Sequence, residues 1–460
     1  MTTAYRERIR VALADGWRFA GLHASASGSS VHVLLVRRGE TRIETTDVAG
    51  HSVPSIVDLA NAAGWDEREA HDLHNVGFGG HAPLRPLVTH DPRLDAWTVP
   101  VRGHDTYQVA VGPVHAGVIE SGHFRFHVVG ERILHLDPRL FYKHRGLERA
   151  AEGKTIDEGL KYASRACAAC AVANGIAYAR AAEVVQGLEP TPELSRVRTV
   201  LLELERMWSH LNDISAVCAG VGLAAGTNRF AALVERARRL NLQLTGHRFL
   251  FGSVRVGGSA LQLHADDVAA ARREVASIRI AAGRGVRELL FNASFQDRLP
   301  DVGIVTHADA LRLGTVGPAA RAAGVRHDVR EHDTHLAYAG LAPVTPTRAA
   351  GDVQARVEQR TLELEQTFGL LDGLLDGRIA PSTTTRSGSA QSVGVGRVES
   401  PRGETSCILE RTGDLVERLR LRTGSYANWP SVAHAAANNL LPDFPLINKS
   451  FELCYACADR

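Results

Sequence analysis

A chain of 460 residues with 44% apolar and 23% charged residues has an ordinary globular composition, and its length allows about three domains. Lys and Arg total 53 against 51 acidic residues, and the net charge of +2 gives no reason to expect nucleic acid or an anionic membrane surface as partner. Six cysteines are too few for a disulfide scaffold, "MTTAYRERIR" lacks the apolar core of a secretory leader, and no apolar run reaches the ~18 residues of a bilayer span; a reducing, cytoplasmic setting is expected.

Residues 1–100 read as a small α/β unit. "VHVLLVRR" (Val31 to Arg38) alternates and is β-branched, which predicts a strand. "SVPSIVDLANAAGW" (Ser52 to Trp65) predicts a helix capped by Ser52 or Ser55. "VGFGGHAPLRPLV" is punctuated as loop, and a boundary is expected between residues 90 and 108. A second unit over 108–460 is mostly helical from about residue 155. Its clearest helix is "ELSRVRTVLLELERMWSHLNDISAVCAG", where Leu194, Val197, Leu201, Leu204, Trp208, Leu211 and Cys218 form one apolar stripe. Cys218 on that stripe reads as a small core residue. Another long helix is predicted over "GDVQARVEQRTLELEQTFGLLDGLL", followed by "APSTTTRSGSAQSVGVG", a loop by composition. The expected architecture is mainly α, a helical bundle with a small N-terminal α/β unit.

Chemistry concentrates in two CxxC pairs. Cys167 and Cys170 stand in "SRACAACAVANG", which reads as helix, so a spacing of three would put both sulfurs on one face. Cys454 and Cys457 repeat the pattern near the other end of the chain. Four soft thiolates suit nickel, zinc or iron–sulfur chemistry. Taken alone, the pairs leave a structural zinc site open, although zinc ribbons place their pairs ~15–20 residues apart. A redox pair would want a thioredoxin-like strand and helix, which the sequence does not supply.

Nine motifs in order narrow the choice: "GPVHAGVIESGHFRFHVVG", "FYKHRGLERAAEG", "SRACAACAVANG", "LLELERMWSHLNDI", "GPAARAAGVRHDVR", "GDVQARV", "VESPRGE", "RTGSYANWP" and "CYACADR". From about residue 110 onward the chain resembles the large subunit of the group 4 membrane-associated nickel–iron hydrogenases, the formate hydrogenlyase and energy-converting type. Upstream, "GWDEREAHDLHNVGFGGHAPLRPLV" is similar to the end of the 30-kDa subunit of respiratory complex I. The resemblance implies a nickel–iron centre with carbon monoxide and cyanide on iron. Cys167 and Cys454 would be terminal nickel ligands, and Cys170 and Cys457 would bridge the metals. It sets Arg402 beside the metals and cyanides, Ser425 near a cyanide, Glu120 as the proton-passing carboxylate and Glu148 as a second carboxylate. His115, His123 and His144 lie in the same motifs but read as structural histidines.

The resemblance further implies an iron–sulfur small subunit like the 20-kDa subunit of complex I, membrane subunits and maturation factors as partners. It places the chain on the inner face of the membrane, with no iron–sulfur cluster of its own. Family large subunits are often trimmed after a basic residue three positions past the last cysteine, which here is Arg460; an ordered, buried Arg460 closing over the metals is expected. Three positions depart from the family pattern. Ala168 replaces a glycine, Asn174 a histidine, and Glu452–Leu453 an aspartate–proline pair. The competing readings are a complex I-like subunit shaping a quinone site, a branch that lacks the cysteine pairs, and a non-catalytic scaffold whose four cysteines hold zinc or no metal.

Overall fold

The computed structural model describes residues 2–115, 120–339 and 349–460. An N-terminal helix, α1 (Thr2–Ala14), precedes an antiparallel sheet of β1 (Arg18–Ala24), β2 (Ser30–Arg37) and β3 (Glu40–Asp47), in that order. Alternation splits the faces of this sheet. Leu22, Ala24, Val31, Val33 and Leu35 pack with Tyr5 and Ile9 of α1. Ala20, Leu34 and Val36 face the opposite way, onto Ile408 of the second unit.

The helix expected over Ser52–Trp65 is absent. Ser52–Pro54 is a short strand paired in parallel with Gly77–Gly79, Asn61–Ala63 is a single 3₁₀ turn, and the helix α2 runs over Gly64–His74. The groups that looked like a cap are engaged elsewhere. Ser55 Oγ and the Ile56 N–H both donate to the Glu67 carboxylate, at 2.8 Å each.

The second unit begins with a meander of β4 (Thr106–Val111), β5 (His123–Val129) and β6 (Arg132–Arg139). Its bundle comprises α3 (Ala171–Gln186), α4 (Pro192–Gly220), α5 (Ala224–Thr245), α6 (Ala265–Leu290) and α7 (Val353–Leu374). α4 runs through the centre of the bundle. All seven stripe residues read from its sequence are buried, but so are Glu203, Glu205, Arg206, Ser209, His210 and Asp213 on its other faces. A helix wrapped by neighbours on every side must satisfy its polar groups internally: Glu203 and Asp213 do so with Arg206, Arg330, Arg360 and Arg402, and Glu205 with backbone N–H groups of α3.

The stretch read as loop after α7 contains part of a second antiparallel sheet, β7 (Val393–Ser400), β8 (Gly403–Thr412) and β9 (Leu415–Arg422). Gly394 and Gly396, which suggested a loop, are there for close approach instead. A Cβ on either would lie 2.1 and 1.9 Å from the carbonyl oxygens of Ala181 and Ala177 on α3. The alanine-rich α3 therefore lies directly on β7, which fixes the start of the helix and with it Cys170. The fold is thus mainly α, as the sequence implies, with the three-stranded sheets β4–β6 and β7–β9 of the second unit left unread by the sequence.

Past β9 come α8 (Gly424–Ala436), α9 (Phe444–Phe451) and α10 (Tyr455–Asp459). On β9, Arg418, Arg420 and Arg422 point to one side by the strand's two-residue period. Arg420 and Arg422 bond Asp66, at 3.0 and 3.1 Å, and Arg420 also bonds Glu69; both acids lie on α2. Arg460 meets the same Glu69 through two contacts of 2.7 Å. Burial opposes ionisation of Glu69, yet Arg420 and Arg460 hold its carboxyl well below the usual range. Glu69→Gln leaves buried arginines short of counter-charge and should destabilise the chain by about 3–5 kcal/mol, the usual effect of breaking a buried pair. A thermal melt at neutral pH measures it. Because the folded pKa is depressed, the wild-type advantage should be lost as pH falls below the ordinary carboxylate range.

Candidate metal centre

The four cysteines of the two CxxC pairs are buried together, with their sulfurs within 4.8 Å of one another. The first pair precedes its helix rather than lying on it. Cys167 is extended (φ −155°, ψ 141°), its Sγ accepts the Ala169 N–H at 3.2 Å, and Ala168–Cys170 is a 3₁₀ turn before α3. The start of α3 is covered by Glu205 of α4, whose carboxylate accepts from Val172 N (2.7 Å) and Ala173 N (3.1 Å). Burial pushes the Glu205 carboxyl up to about 8.

The second pair spans the start of α10, with Cys454 on the connection from α9 and Cys457 within α10. Glu452 ends α9 in the left-handed region (φ 48°), which turns the chain so that Cys454 caps α10. Ser425 Oγ accepts the Cys454 N–H at 3.1 Å, and Thr423 Oγ1 donates to the Cys457 carbonyl at 3.1 Å. Glu120 Oε2 accepts the Ala456 N–H at 2.8 Å. Burial, then the Cys454 thiolate, raises the Glu120 pKa above the usual carboxylate value.

The segment "KHRGLE" staples the two pairs together. His144 Nδ1 and the Asp459 carbonyl are 2.6 Å apart, and the Arg145 N–H donates to the Arg460 carbonyl at 2.8 Å. The Arg145 side chain reaches back to the Ala166 carbonyl (2.7 Å), next to Cys167. Glu148 Oε1 accepts from Arg460 (2.9 Å) and from the Leu421 N–H (2.9 Å). Its carboxyl is held low despite burial, because Arg460, Arg420 and Arg418 surround it. Arg460 is buried within this cluster.

Arg402 links the pairs from the other side. It donates Nε to the Glu452 carbonyl (2.9 Å) and Nη2 to Asp213 (2.8 Å), and its charge acts on Cys454 and Cys170. Its Nη1 is buried with no hydrogen-bond partner among the described residues. Asp213 also receives Arg360 at 3.0 Å. Asp213 and Glu205 went unnoticed in the sequence, where they look like polar residues of an amphipathic helix. Of the departures, Asn174 places Nδ2 3.8 Å from Cys457 Sγ, and Glu452 is buried with its carboxyl pushed up to about 8 by burial and Asp213. His123 Nδ1 lies against the Gly112 carbonyl at 3.1 Å.

The donor set fits a bound metal. Bonds among the thiols hold Cys167 well below its ordinary pKa, while the bonds to Cys167 push Cys170 and Cys457 up. A full set of thiolates in so small a volume requires cations between them. An unpartnered guanidinium nitrogen beside the set suits an additional anionic or acceptor ligand.

Two family models match the chain: the 30-kDa subunit of respiratory-chain NADH dehydrogenase over residues 17–106, and the 49-kDa subunit over 223–391. Formate hydrogenlyase subunit 5 of Escherichia coli is 30% identical over 93% of this chain and 81% of its own length. An NADH-quinone oxidoreductase subunit of Chloroherpeton thalassium is 27% identical over 77% of this chain and 88% of its own. A subunit in the structure of the membrane-bound sulfane sulfur reductase, an archaeal respiratory membrane complex, superposes with a TM-score of 0.72 at 26% identity, covering 77% of this chain and 99% of that one.

Ser425→Ala removes the acceptor of the Cys454 N–H in a buried turn. A loss of about 1–2 kcal/mol is expected there. Amide exchange over residues 452–457 should quicken by roughly tenfold, at 1.4 kcal/mol per decade, while exchange in α4 stays unchanged.

Proposed function

The chain belongs to the family of group 4 hydrogenase large subunits and complex I 49-kDa subunits, joined to a 30-kDa-like unit, and from that we propose that it is the catalytic subunit of a nickel–iron hydrogenase. The family makes it an oxidoreductase subunit. The observation that carries the finer reading is the meeting of four buried cysteine sulfurs beside the unpartnered Nη1 of Arg402. The quinone-site branch lacks the cysteine pairs, and a structural zinc site of four cysteines has no need of an unpartnered guanidinium beside its sulfurs.

In this reading residues 1–100 form the 30-kDa-like unit and 108–460 the large-subunit unit. Cys167 and Cys454 would hold nickel terminally, and Cys170 and Cys457 would bridge to an iron carrying carbon monoxide and cyanide. That centre supplies the site at which H2 is interconverted with protons and electrons. The residues of the chain do the rest. Arg402 would offer its Nη1 to an acceptor ligand of that centre, while Asp213 and the Glu452 carbonyl keep its fork in place. Ser425 presents its hydroxyl at the Cys454 turn. Glu120 holds the proton that leaves or enters at the cysteines; its raised pKa brings it nearer the working pH, where a general acid–base group is most effective. Glu148 keeps Arg460, and so the second cysteine turn, in register.

Electrons would pass to an iron–sulfur small subunit resembling the complex I 20-kDa subunit. Among the described residues no helix is long and apolar enough to cross a membrane. Attachment to the inner membrane face would therefore come through membrane subunits, with maturation factors loading the metals.

Protein co-produced with nickel and maturation factors should contain nickel and iron in about equal amounts, with infrared bands of metal-bound carbon monoxide and cyanide. Zinc alone without those bands would overturn the reading in favour of a scaffold. Cys170→Ser or Cys457→Ser should abolish both metals, because a hard hydroxyl replaces a soft bridging thiolate. Glu120→Gln should keep the metals and lower proton-dependent turnover by ~10²–10⁴. Wild-type turnover in that variant would remove Glu120 from the proton route.

A further inference from the structure

The seam between the N-terminal sheet and the β7–β9 sheet has two unlike ends. At one end it is apolar, with Ala20, Leu34 and Val36 on Ile408. Two residues along each strand, the same faces carry His32 of β2 and Glu410 of β8, with His23 of β1 directly opposite His32 in the ladder. The two imidazoles stack, with centroids 4.9 Å apart and planes 26° from parallel. His23 Nε2 lies 2.9 Å and His32 Nε2 3.9 Å from the same oxygen, Glu410 Oε1.

We propose that His23, His32 and Glu410 form a binding site for one divalent transition-metal ion of the zinc type, which pins the N-terminal unit to the catalytic unit. One nitrogen from each histidine and one carboxylate oxygen all lie within 4.8 Å of one another. Two imidazoles and a carboxylate are a recurrent zinc donor set that leaves a fourth position for water. The site is buried on the His23 side and half-open at His32 and Glu410, so an ion has both a dry floor and an entry.

Three details favour an ion over a plain hydrogen-bonded cluster. His23 is buried, yet its Nδ1 has no hydrogen-bond partner among the described residues. His32 already has an orienting partner of the kind ligating histidines use, since its Nδ1 lies 2.9 Å from Thr45 Oγ1. Ser30 Oγ is a further neighbour, 3.0 Å from His32 Nε2. The Arg418 charge acts on both rings. Arg418 itself is committed to the Ala24 carbonyl (3.1 Å) and to Glu148 and Glu152 (3.6 and 3.3 Å), so its charge is countered within its own cluster. The site lies apart from the four cysteines and stands or falls independently of the hydrogenase reading.

The full chain, stripped with chelator and titrated with Co(II) and then Zn(II), tests the proposal. Thiolate-bound cobalt shows an intense near-ultraviolet charge-transfer band, and cobalt on imidazole and carboxylate does not, so the two sites are counted separately. Wild type should bind one equivalent without that band, and Zn(II) should raise its melting temperature. His32→Ala and Glu410→Gln should each weaken this equivalent by ~10²-fold or more and abolish the Zn(II)-dependent rise. The cysteine signal should stay unchanged in both. The Glu410→Gln change keeps the side-chain shape, so it carries the test if His32→Ala fails to fold. The proposal is overturned if wild type and Glu410→Gln bind the same number of ions with the same affinity, or if every bound ion shows the thiolate band.

Discussion

Four thiols must meet inside 4.8 Å, two from the turn that opens α3, one from the residue before α10 and one from α10 itself. That constraint explains the surroundings. Each pair spans a helix start, Cys167 and Cys454 standing just before the first turn, and that short turn lets the two sulfurs of a pair converge. Each turn is then held by groups that satisfy its backbone: Glu205 for the first, Ser425, Thr423 and Glu120 for the second. Arg145 and Arg402 reach both segments, one through carbonyls and one through charge. The two sides are thus preorganised before any metal contributes its own binding energy.

The ion pairs around Arg460 do something different. Buried pairs lose much of their attraction to desolvation, so they specify an arrangement more than they stabilise it. Glu69 and Asp66 on α2 face Arg420 and Arg422 on β9, and Glu69 and Glu148 share Arg460. One cluster therefore registers the N-terminal unit, the second sheet and the residues past Cys457 against each other. A shift of the N-terminal unit would leave Arg460 without Glu69 and loosen the turn that carries Cys454 and Cys457. The N-terminal unit and the metal centre are coupled through this cluster rather than through direct contact with the sulfurs.

The departures from the family pattern acquire concrete roles. Glu452 supplies a left-handed turn and a carbonyl for Arg402, and both are backbone services that a change of side chain leaves available. Its carboxyl bonds Asn212 Nδ2 at 3.2 Å and stays buried near Asp213. Asn174 offers Cys457 a fixed amide donor where a histidine would titrate. These residues tune the electrostatics around the sulfurs and leave all four sulfurs in place.

The residues that gather around the four sulfurs were legible in the sequence because they stand in distinctive types at short spacings, CxxC twice, "HRGLE" and "SPRGE", and so were the long periodic helices α4 and α7. Local pattern failed where a residue's purpose lies across the fold. Gly394 and Gly396 spell a loop until α3 lies on them, and Ser52 and Ser55 spell a helix cap until Glu67 takes the local hydrogen bonds. The pairing of Arg402 with Asp213, the capping of α3 by Glu205 and the meeting of His23 with Glu410 join residues from separate elements, some of them hundreds of positions apart. Sequence by itself determined which side chains could ligate, donate or carry protons. Tertiary structure alone decided which of them meet, because burial and charge pairing depend on what packs alongside.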